Sequence, residues 1–173
     1  MKWRRHAAPK LAGWTPRPLG ARRDVLMEAH FPGSTKVERK FPIKVIEISP
    51  ERPVDVGSTG VRVTGYVVMH PSGTTSLALR IECDGKILTY TGDTEWVDTL
   101  LAAGHNADLL IAEAYCFERK VRFHLDYATL REKLPMIGAK RLILTHMSPD
   151  MLGRVSELQD CEAANDGLEV EIV

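Results

Sequence analysis

An α/β or α+β fold, a mixed sheet covered by helices, is what this sequence predicts, and three observations carry the prediction. Apolar, β-branched runs at 61–69, 76–83 and 86–91 follow one another across short turns, the pattern of antiparallel strands. From residue 95 onward helical segments alternate with wholly apolar strand segments, the pattern of helix–strand units. The 173 residues are 44% hydrophobic, enough for one compact domain with a sizeable core.

Taken in order, residues 1–23 read as a flexible basic leader. They carry Lys2, Arg4, Arg5, Lys10, Arg17, Arg22 and Arg23 and no acidic group, interrupted by Pro9, Gly13, Pro16, Pro18 and Gly20, with no apolar face to bury. A targeting peptide is the alternative, but the prolines spoil an amphipathic helix and no apolar h-region follows. Removing these seven basic residues from 23 leaves 16 against 23 acidic ones, a formal charge of −7 for 24–173. An acidic body argues against a nucleic-acid footprint spread over the whole domain, while leaving room for a local basic patch.

A helix is predicted at 24–31, closed by Pro32-Gly33, and a strand at 41–48, where apolar and polar residues alternate. Residues 57–60 form a turn before the three β-branched runs. Asp84-Gly85 joins the last two as a two-residue hairpin, since both positions of such a turn need positive φ. Helices follow at 95–103, 126–137 and 149–164, the last opened by Pro149, with strands at 108–112, 141–144 and 168–173. No apolar run is long enough to cross a membrane as a helix. Cys83, Cys116 and Cys161 lack metal-type spacing and are odd in number, which excludes a disulfide framework or zinc finger and makes the cytoplasm the expected compartment.

Ligand sites of open α/β sheets lie at the carboxyl ends of strands, and three such ends carry titratable groups. Asp93 follows Gly92 after the strand ending at Thr91; its alternative role is a cap for the next helix. Glu113 ends the apolar strand Leu109-Leu110-Ile111-Ala112 and could orient His124, which lies in the loop before the helix at 126. His146 stands at the mouth of Leu142-Ile143-Leu144-Thr145, where a structural histidine is the alternative. His70, which follows an apolar strand, and Thr94 are candidate pocket residues; for His70 a place at a helix N-terminus or a structural hydrogen bond is the alternative.

Tyr-Thr-Gly-Asp-Thr at 90–94, Leu-Leu-Ile-Ala-Glu-Ala at 109–114, the loop ending at His124 and Leu-Ile-Leu-Thr-His-Met-Ser at 142–148 occur in an order and spacing that resembles a known family. His70-Pro71 with residues 76–82 adds to the likeness. Together they resemble the C-terminal half of a metallo-β-lactamase-fold hydrolase of the ribonuclease Z-like branch, over about residues 29–151.

That resemblance implies part of an αβ/βα sandwich and a zinc-dependent hydrolase acting on a phosphodiester of a small molecule or nucleic acid. Asp93 would bridge two metal ions and His146 would bind the second, while Glu113 and His124 would protonate the leaving group. The family's HxHxDH loop has no counterpart, for no HxH occurs among the six histidines. Two metal ligands fall short of the three or four that zinc takes. The expectation is therefore a truncated chain with a weak, incomplete zinc site and little activity. The other readings are a non-catalytic remnant or a dimerising module, with self-association through an exposed sheet.

Overall fold

The structure, a computed structural model, describes residues 19–38, 40 and 44–172, with side chains from Asp24 onward. It divides into two units, 1–47 and 48–173. In the first, helix α1 (Leu19–His30) begins inside the stretch read as a leader; the rest of that leader, 1–18, lies outside the described residues. Pro32-Gly33 ends the helix as the sequence predicts. Gly33 takes φ 86, and its N–H donates to the Glu28 carboxylate at 2.7 Å while the Thr35 hydroxyl donates to the same group at 2.6 Å.

The second unit is built on a mixed sheet of seven described strands whose spatial order follows the chain: β1 (Val54–Asp55), β2 (Arg62–Val67), β3 (Leu77–Cys83), β4 (Lys86–Tyr90), β5 (Leu109–Glu113), β6 (Leu142–Thr145) and β7 (Glu162–Ala163). Strands β1 to β4 pair antiparallel; β4 to β7 pair parallel. The hairpin between β3 and β4 has Asp84 at φ 49 and Gly85 at φ 74, so both residues take the left-handed values that the turn requires. Buried between two parallel neighbours, β5 reads as a continuous apolar run rather than an alternating one.

Helix α2 (Thr99–Gly104) covers β2 to β4, with Leu100 and Ala103 against Val68 and Ala78. Its last carbonyls are satisfied from the sheet: the Ala103 carbonyl accepts from Thr89 Oγ1 at 2.8 Å and from Arg80 Nη1 at 3.1 Å. Helix α3 (Tyr127–Ile137) packs Tyr127, Leu130 and Ile137 with Leu110, Leu142 and Leu144. Asp126 caps its start by accepting from the Thr129 N–H, and Gly138, at φ 70, closes its end.

Four sequence expectations need correction. Residues 44–48 form no strand, and 41–43 lie outside the described residues; the chain first meets the sheet at an isolated bridge from Pro50 to Gly65, and Pro50 and Pro53, having no N–H, interrupt pairing ahead of β1. The helix predicted at 95–103 starts only at Thr99, since Glu95 is used in a bridge to Met69. The helix predicted at 149–164 stops as α4 (Pro149–Leu152) at Gly153, and Glu162 and Ala163 instead extend the free edge of β6. With that edge taken, 168–172 pair with no strand.

Candidate metal centre

Strand β4 ends at Tyr90, and Gly92 at φ 61 turns the backbone so that Asp93 stands off the strand end. Asp93 does not cap a helix, because α2 starts at Thr99 behind Asp98. Its Oδ2 instead lies 3.6 Å from His146 Nε2 and 3.9 Å from His70 Nε2. His146 follows β6 directly, at φ 52. Its loop is zipped to the one after β5: the Ala114 N–H donates to Thr145 and the Ser148 N–H to Tyr115.

His70 arrives from the other side, beyond β2. Thr94 fastens it there: Thr94 Oγ1 accepts from the Met69 N–H at 3.0 Å and donates to the Glu95 carbonyl at 2.6 Å, and the Glu95 N–H returns to the Met69 carbonyl. Thr94 is fully buried, so it braces the pocket from behind instead of lining it.

Glu113, 1% exposed, closes the end of β5. Its Oε1 accepts the Thr94 N–H, and its Oε2 lies 2.9 Å from His124 Nδ1. Burial pushes the Glu113 carboxyl above its ordinary pKa, opposed by those same hydrogen bonds. His124 is carried by a loop clamped at its base, where the Tyr115 N–H donates to Leu125 and the Tyr127 N–H to Cys116. With Nδ1 committed to Glu113, Nε2 is the His124 nitrogen left for the site.

The rings form a cluster. His124 stacks on His146 with centroids 5.3 Å apart and meets His70 edge-on at 5.5 Å. Tyr115 lies against both, 4.7 Å from His124 and 5.5 Å from His146, a role that sequence reading missed because nothing marks one tyrosine in a loop.

Among the described residues, two sets of candidate ligand atoms lie within 4.8 Å of one another: those of His70, Asp93 and His124, and those of Glu113, His124 and His146. Imidazole nitrogen with carboxylate oxygen is a donor set that suits zinc, so these residues fit a metal of that class. The sequence offered Asp93 and His146 as ligands; the fold brings His70 to the same carboxylate, and its sequence signals are its place after an apolar strand and the His70-Pro71 likeness. Cys116 takes no part, its buried sulfur facing the Ser148 hydroxyl at 3.7 Å and receiving Arg119 Nη2 at 3.4 Å.

Comparison with known proteins matches residues 15–147 to the Beta-lactamase superfamily domain. A Ribonuclease Z of Halobacterium salinarum is 38% identical over 101 residues, which is 51% of this chain and 33% of that protein. The chain spans 30% to 40% of the length of the curated relatives that it matches. Among solved structures, the metallo-beta-lactamase fold protein YhfI from Bacillus subtilis superposes with a TM-score of 0.62 at 23% identity, covering 82% of this chain and 61% of that one. The short form of human tRNase Z gives a TM-score of 0.53 at 22% identity, covering 66% and 44%. At such identities the structures establish the fold.

Proposed function

The chain belongs to the β-lactamase superfamily, and from that premise we propose that it serves metal-dependent hydrolysis of a phosphodiester, with zinc as the metal and a chemistry like that of Ribonuclease Z. The observation that carries this reading is Asp93 Oδ2 set between the Nε2 atoms of His70 and His146, with the Glu113–His124 pair beside them. Asp93 and His146 would hold the ion, with His70 reaching the same Asp93 oxygen from the other side. When bound, such an ion supplies Lewis acidity to a phosphoryl oxygen and makes water more acidic.

The chain's own residues supply the proton. His124 would pass it from Nε2 to the departing oxygen. Glu113 fixes the ring's orientation through Nδ1 and balances the imidazolium charge in a buried setting.

Zinc titration and hydrolysis of bis(p-nitrophenyl) phosphate by the purified chain test this. Asp93→Asn and His146→Ala should abolish zinc binding, whereas His124→Ala should keep it and lower kcat by about 10²- to 10⁴-fold. Zinc binding untouched by Asp93→Asn, or turnover untouched by His124→Ala, would overturn the assignment.

A further inference from the structure

We propose that Arg122 and Phe123 form the recognition element of the site, taking the phosphate and the neighbouring ring of a nucleotide; this rests on the phosphodiester reading above. The loop between β5 and α3 turns tightly at residues 121–124, where the His124 N–H donates to the Val121 carbonyl at 3.1 Å. Phe123 occupies that turn at φ 70, a region that a bulky side chain enters only when its surroundings compel it. The Phe123 N–H is held by Glu95 Oε2 at 3.2 Å, and the Glu95 N–H is bonded to Met69, the residue before His70. The aromatic ring thereby meets His70 edge-on, with centroids 6.5 Å apart. Glycine would make the same turn without strain, so the turn alone does not account for the ring.

Arg122 supplies the second half. Its guanidinium carbon sits 4.4 Å from the centre of the Phe123 ring. The neighbouring cations are engaged: Lys120 with Asp126 at 2.7 Å, and Arg119 with the Cys116 sulfur. The exposed Arg122 guanidinium has neither a hydrogen-bond partner nor a carboxylate among the described residues. A planar cation held against a ring offers two N–H groups in the geometry that a phosphate accepts. The ring and guanidinium planes are surfaces on which a nucleobase stacks.

The test is binding of adenosine 5′-monophosphate, adenosine and inorganic phosphate to the whole chain, dialysed against a chelator and followed by calorimetry. The monophosphate should bind at least about tenfold more tightly than either part, and Arg122→Ala should remove that advantage while leaving adenosine unchanged. Phe123→Gly should melt at the same or a higher temperature, because glycine accepts the φ value, yet bind adenosine and its monophosphate more weakly. Monophosphate binding no tighter than that of its parts, or unchanged in either variant, would overturn the proposal. Hydrolysis plays no part in this measurement. Intact binding by a chain that cleaves no phosphodiester would therefore remove the catalytic reading and leave this one standing.

Discussion

Tyr115 packs against both imidazoles, beside the Glu113 hydrogen bond that orients His124. Its ring lies at 28° to His124 and 32° to His146, so one flat surface sets the tilt of both. Such ring contacts contribute about 0.5–1.5 kcal/mol each, enough to hold a rotamer. Tyr115→Ala should move the imidazole resonances of both histidines in NMR spectra and lower kcat by about tenfold or more, since small displacements at a reacting centre are costly. Tyr115→Phe should restore both, because the ring and not the hydroxyl does the positioning. Unmoved resonances in Tyr115→Ala would show that the backbone and the Glu113 hydrogen bond set the rings without it. At this scale the sequence was legible for Asp93, Glu113 and His146, whose strand-end places follow from apolar runs, and for His124 in the loop before α3, four side chains that the fold brings together. It was not legible for Tyr115 or for the second contact of Asp93 with His70, which depend on loop geometry with no sequence period.

Helix α3 carries the loop of His124 at its N-terminus, so its cap is also a support for the site. Asp126 accepts from the Thr129 N–H at 2.9 Å and pairs with Lys120. Asp126→Ala should cost about 1 kcal/mol of stability, read as a lower urea midpoint at unchanged slope. A midpoint equal to the parent's would mean that the N-terminus is satisfied otherwise. Elements with a clear period or turn signal were readable: β2 to β4 from their β-branched runs, and α3 from its apolar face and Gly138. The segment 149–164 was misread because its spacing suits a helix as well as a loop that ends in an edge strand. What decides is outside the segment, in the free backbone of β6 and the fork of Arg141 on Glu162 at 2.6 and 2.9 Å.

Across the molecule, Asp108 ties distant parts of the second unit together. One oxygen accepts the Ile87 N–H of β4 at 2.8 Å and the other accepts from Lys140, beyond α3, at 2.7 Å. The Lys140 ammonium and the Ile87 N–H hold the Asp108 carboxyl below its ordinary pKa. Its contribution to stability is thus present above the unfolded value of about 3.9 and lost as pH falls through the lower folded value. Asp108→Asn should accordingly be less stable than the parent at neutral pH, with the gap between their urea midpoints narrowing below about pH 4. A gap independent of pH would show that the carboxylate charge contributes nothing.

The strand order, in which each strand lies beside its predecessor in the chain, bears on how the protein is made as well as on how it stands. A polypeptide leaving the ribosome presents each strand to a neighbour that has already emerged, so none need wait unpaired for a later partner, and exposed edges are brief. The site residues emerge in the same order, from His70 to His146. The sheet can grow through β5 while the centre is still open, and His146 arrives with β6 as the last of them. Synthesis thus supplies the scaffold first and brings the histidine and carboxylate cluster together only with β6.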